Sequence, residues 1–120
     1  MRALDPGHKY KLISIDGDTP QYLTFVKREG DKYPFNIGHY PGTNIQEICR
    51  VLIDRTAYLD SQHYCPENSI NINLLRQIIY NLEQRAAREH GVTFRPPAGN
   101  IEGKPACKIC GHIFEHTHEP

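Results

Sequence analysis

The apolar positions change rhythm once along this chain. Between residues 9 and 40 they come in short runs rich in β-branched and aromatic side chains; from residue 45 they recur every three or four residues. The first rhythm predicts strands. YKLISI and QYLTFVKR flank DGDTP, whose aspartates, glycine and proline carry turn chemistry, so the two runs form a hairpin. YPFNIGHYPG adds a third strand, pushed to an edge or into a loop by Pro34, Gly38 and Pro41. So small a sheet needs a cover on one face.

The second rhythm supplies that cover. Thr43, followed three residues later by Gln46, offers a capping box for a helix carrying Ile45, Ile48, Cys49, Leu52, Thr56 and Leu59 on one stripe. DSQHYCPENS interrupts it. Pro66 suits the first position of a second helix, Glu67 favours its positive end, and Gly91 stops it after about His90. Its stripe is Leu75, Ile78, Ile79, Leu82 and Ala86. The fold class is therefore α+β: a small N-terminal antiparallel β-sheet packed on a C-terminal antiparallel α-helical hairpin. Residues 1–92 make the sheet-plus-hairpin domain, the proline- and glycine-bearing stretch 93–105 is a linker, and 106–120 is a Cys/His-rich tail.

Composition narrows the function. Fourteen basic residues balance fourteen acidic ones, which argues against a DNA or RNA polymer as partner, because phosphate-backbone binding demands a basic excess. No apolar run approaches the roughly 20 residues of a membrane span. The N-terminus has no signal-peptide core, and four cysteines without one suggest reduced thiols in a cytoplasmic protein. Cys49 and Cys65 fall in the helical segments, as small apolar fillers.

The densest chemistry is the tail ACKICGHIFEHTHEP. Cys107 and Cys110 have C-x-x-C spacing, and His116 and His118 could complete a Cys₂His₂ set, with His112 as a competitor. A zinc there is structural, since nothing nominates an open position with a general base. Histidine-rich ends also bind metal weakly while disordered, and that alternative stands. No P-loop, G-x-S-x-G or Rossmann glycine pattern is present, so the chain is not expected to be an enzyme and needs no cofactor.

Arginines stud the helices. Arg50 suits a pair with Glu47, whereas Arg55 and Arg85 interrupt the apolar stripes after Leu52 and Leu82. An arginine placed so is either solvated or aimed at an anion. Tyr58 and Asn68 flank the hairpin tip. They either close the turn or offer an aromatic face and an amide edge to a base. Arg28, beside Lys27 at a strand end, is a candidate phosphate contact from the sheet side.

Residues 9–91 carry a resemblance. The GTN helix entry, LIDRTAYL, CPEN and the R-A-A-R of Arg85 to Arg88 resemble the helical hairpin shared by phage anti-Thoeris and anti-CBASS sponges. The preceding sheet is similar to the first-described anti-Thoeris family. The resemblance implies a non-enzymatic protein that sequesters cyclic ADP-ribose isomers in the host bacterial cytoplasm. It also implies a homo-oligomer, a dimer or hexamer, with cyclic trinucleotides of the CBASS system captured at separate sites. Its motifs carry ligand contacts to Tyr58, Asn68 and Arg85, with Arg88 closing the same motif. Tyr58 stands where the family has phenylalanine. The alternative is a small zinc-binding adaptor for nucleic acid or protein, acting through its tail.

Overall fold

The computed structural model describes residues 1–30 and 36–116. Its elements follow the α+β order: an antiparallel three-stranded sheet, a two-stranded ribbon, then two helices that pack together. They fall into two units, Met1–Asn44 and Ile45–Pro120.

In the first unit β1 (Arg2–Asp5), β2 (Lys9–Leu12) and β3 (Gln21–Thr24) pair in that order, with Tyr10 opposite Leu23. The expected hairpin is β2–β3. Its third strand, however, precedes it in the chain: β1 is four residues long and largely exposed, so no apolar pattern announces it. QYLTFVKR breaks in two at Phe25. There the Phe25 N–H donates to the His8 carbonyl, and the Val26 N–H turns to the Thr43 carbonyl. Beyond the break β4 (Lys27–Gly30) pairs with β5 (Asn36–Tyr40), so NIGHY belongs to a separate ribbon. Tyr10 and Phe25 meet edge to face at 6.1 Å.

In the second unit α1 (Ile45–Gln62) and α2 (Pro66–Glu89) form the helical hairpin. Pro66 opens α2 as predicted. Gly91, at φ 73°, ends it in a Schellman motif, with Val92 N–H on the Ala87 carbonyl and Gly91 N–H on the Arg88 carbonyl. The buried faces differ from the predicted stripes. Gln46, Cys49 and Ile53 face inward on α1, whereas Ile45, Leu52 and Leu59 are exposed. On α2 the buried residues are Ile79, Glu83, Ala86 and Ala87, and Ile78 is exposed. The capping box does not form. Thr43 N–H is taken by the Thr24 carbonyl, and the Gln46 side chain points to His112.

The segment that looks like a linker completes this core. Phe94 and Ile101 are buried in it, and Phe94 lies 5.7 Å from Tyr80. Ile101 opens a 3₁₀ turn (Ile101–Gly103) whose Glu102 accepts from Arg76 of α2 at 2.8 and 2.9 Å. Phe114, from the tail, is the third buried aromatic or aliphatic residue that the C-terminal extension contributes. Among the described residues no helix is long and apolar enough to cross a membrane.

Candidate functional site

Two clusters in the helical unit carry chemistry. The first is an open cavity of about 500 Å³ along α1, lined by Glu47, Arg50, Val51, Asp54, Arg55 and Tyr58. Helical spacing gathers them, since residues three and four apart share a face. Tyr58 is 55% exposed, and the Arg55 guanidinium lies 5.7 Å from its ring centroid. Arg50 is nearly buried, and none of its guanidinium nitrogens has a hydrogen-bond partner. Its ion pair with Glu47 is loose, at 3.6 Å. A buried guanidinium so poorly satisfied is costly, and an incoming anion relieves that cost.

The hairpin tip places Asn68 differently. The Asp60 carboxylate accepts from the Cys65 backbone N–H and from the Asn68 side-chain amide, each at 3.1 Å. Asn68 therefore ties α1 to α2, with its carbonyl oxygen remaining for another partner. Cys65 caps α2 rather than filling a helix interior, and its thiol donates to Glu67 at 2.8 Å. That hydrogen bond holds the Glu67 carboxyl below its usual range.

Arg85 and Arg88 lie at the other end of α2, both exposed. Arg85 faces Glu89 at 3.9 Å. Helical rise puts Arg85 roughly 25 Å from Asn68 along the axis. One chain brings Tyr58 together with Arg50 and Arg55, but not with Arg85. Arg28 is in β4, but its side chain, like all of His118, lies outside the described residues.

The second cluster is the tail. The ligand atoms of Cys107, Cys110 and His116 all lie within 4.8 Å of one another. Around a tetrahedral zinc, neighbouring sulfur and nitrogen donors would stand roughly 3.6 Å apart, from bond lengths near 2.3 and 2.0 Å. The loop is shaped by its own backbone hydrogen bonds. Gly111 adopts φ 77°, Gly111 N–H donates to the Cys107 carbonyl at 2.8 Å, and Cys107 N–H donates to the His112 carbonyl at 3.0 Å. Ile109 N–H points at the Cys107 sulfur at 3.4 Å.

His116 is fixed by its second nitrogen. A carbonyl only accepts, so the 2.6 Å contact of His116 Nδ1 with the Phe114 carbonyl sets Nδ1–H as donor and leaves Nε2 with its lone pair. That Nε2 faces Cys110 Sγ at 3.1 Å. The Phe114 carbonyl and Cys107 raise the pKa of His116. A cysteine beside an imidazole is also the pair a thiol nucleophile needs. Here burial pushes the Cys110 thiol up rather than down, and a second cysteine crowds the cluster, which suits ligation better than attack.

Beneath the loop lies Glu83, fully buried on α2. Its Oε2 accepts from Ile113 N–H at 3.1 Å and faces His112 Nδ1 at 3.2 Å. Gln46 approaches the same ring nitrogen at 3.4 Å. One nitrogen cannot donate to the carboxylate and also accept from the amide. The shorter, charge-assisted contact with Glu83 takes precedence. That contact ties His112 Nδ1 to Glu83, while the group whose ligand atoms come together is Cys107, Cys110 and His116. Phe114 seals this layer between the rings of His90, His112 and His116, at 5.1 to 5.5 Å.

No family model, curated protein or solved structure matches the chain.

Sequence reasoning singled out Tyr58 and Arg55 but not their company with Arg50, and it missed Glu83. A visible signal existed for Glu83, an acid four residues after Ile79 at a core register of α2.

Proposed function

We propose that this chain is a non-enzymatic binder that sequesters cyclic ADP-ribose-type immune signals of the Thoeris system in the cytoplasm of a phage-infected bacterium. The supporting observation is the α1 cavity, where Arg50 and Arg55 accompany the exposed Tyr58 ring. Two phosphates need guanidinium forks and a base needs an aromatic plate, and this face offers both. A cavity of about 500 Å³ is within the size range of small-ligand sites.

The ligand site is shared between copies of the chain. Tyr58 and Asn68 flank one end of the hairpin and Arg85 stands roughly 25 Å away, a span that one small nucleotide does not cover. The exposed stripe of Ile45, Leu52 and Leu59 supports a dimer or hexamer. Cyclic trinucleotides of the CBASS system are the second ligand class, at separate sites. Arg88 stands with Arg85 on α2.

A second reading rests on the tail. Cys107, Cys110 and His116 could hold a metal ion. We assign it as a structural zinc; His118, which the sequence offers for a closed Cys₂His₂ set, lies outside the described residues. On that reading the chain is an adaptor for nucleic acid or protein.

Titration calorimetry against cyclic ADP-ribose isomers and cyclic trinucleotides separates the two. The sponge reading expects tight binding of at least one ADP-ribose isomer. Tyr58→Ala should weaken it by about tenfold or more, the loss of one stacking contact. Absence of binding across the panel overturns it.

A further inference from the structure

The tail and the helical hairpin are joined through one buried carboxylate. Glu83 is fully buried, yet neither of its two contacts lies on its own helix. Ile113 N–H and His112 Nδ1 come from the short loop between Cys110 and His116, and both converge on Oε2. Its Oε1 is buried without a hydrogen-bond partner. A buried carboxylate is tolerated only where fixed donors hold it. The donors here belong to the loop 110–116, so the carboxylate and the loop conformation depend on each other.

We propose that Glu83 is the positioning residue of a metal site formed by Cys107, Cys110 and His116, and that metal binding is what docks the loop 110–116 on α2. The inference rests on the metal reading above and extends it. Ligation of Cys110 and His116 would fix both ends of the loop 110–116. It would thereby present the Ile113 N–H and the His112 ring to Glu83 at one geometry. Glu83 in turn holds the loop in the shape that brings Cys110 Sγ and His116 Nε2 to 3.1 Å. Metal affinity and docking are then two sides of one linkage, and weakening either weakens the other. The docked loop also buries Phe114 in the core cluster that holds Ala86 and Ala87, with its ring 5.5 Å from that of His90, near the α2 end that bears Arg85 and Arg88. The metal thus orders the end of the hairpin opposite the tip.

The test uses the full chain. Zinc is titrated against a competing chromophoric chelator, and cobalt(II) is substituted to read thiolate ligation from its absorption spectrum. The wild type should bind one metal with a tetrahedral, two-thiolate cobalt spectrum. Glu83→Gln keeps the volume and all three ligands, and should lower zinc affinity by about tenfold to a hundredfold, as loss of an orienting partner does. Because that variant could fail to fold, a second measurement uses the wild type alone. Hydrogen exchange of the Ile113 amide should be slow with zinc and accelerate at least tenfold after chelation, while amides in the middle of α1 stay protected. A wild type that takes up no metal defeats the metal reading, and this inference with it. A wild type that binds zinc, with unchanged affinity in Glu83→Gln or unchanged Ile113 exchange after chelation, overturns the inference alone.

Discussion

Arg76 and Glu102 show how a single pair fixes a segment that the sequence presents as loose. Three contacts of 2.8 to 3.1 Å join the guanidinium to the carboxylate across 26 positions of sequence. The Arg76 guanidinium holds the Glu102 carboxyl below its usual range. A depressed folded value means that the stabilisation is complete above the unfolded glutamate pKa, about 4.3. It is lost as pH falls through the lower folded value. Glu102→Gln should therefore cost about 1–2 kcal/mol at neutral pH, measured by urea unfolding. That deficit should hold steady down to about pH 5 and shrink below about pH 4. A deficit that does not change with pH would mean the pair acts through packing. Neither partner stands out by itself in the sequence, because a pair this distant leaves no local spacing to recognise. Arg50 is a similar case: its pairing with Glu47 was legible, its burial was not.

At the scale of elements, periodicity located both helices and their ends but their faces only in part: Cys49, Ile79 and Ala86 are buried as expected, whereas Ile45, Leu52, Leu59 and Ile78 are exposed. On α1 the apolar spacing marks Ile45, Ile48, Cys49, Leu52, Thr56 and Leu59, a broad stripe of which only part can face the core. The buried face keeps Cys49 and adds Gln46, which turns toward His112, and Ile53, which enters the core. The register of Glu83 after Ile79 is visible in the sequence, but its partners lie 29 and 30 residues away and leave no local spacing to recognise. Strand β1 was illegible because its four residues are mostly exposed and carry no alternation. The exposed α1 stripe now has a use in the account, as a surface between copies. Leu52→Glu should turn the assembly into monomers in analytical ultracentrifugation while leaving the helical circular dichroism intact. A wild-type monomer that still binds ligand tightly would contradict the shared site.

At the scale of the molecule, the helical unit carries two chemistries at two places: the arginine–tyrosine face along α1 and the cysteine–histidine loop on α2. The extension from Val92 onward is part of the core rather than an appendage, since Phe94, Ile101 and Phe114 are all buried in it. That integration fits a structural role for the metal-binding motif and leaves the quieter helix face to the proposed ligand. Capture without turnover is the central claim, and one experiment reads it directly. The protein is incubated with cyclic ADP-ribose isomers, separated from free ligand, then heat-denatured, and the released nucleotide is identified by mass and chromatography. The account predicts that an isomer is depleted from solution and returned chemically intact. Recovery of a hydrolysed product, or no depletion of any isomer, would contradict it.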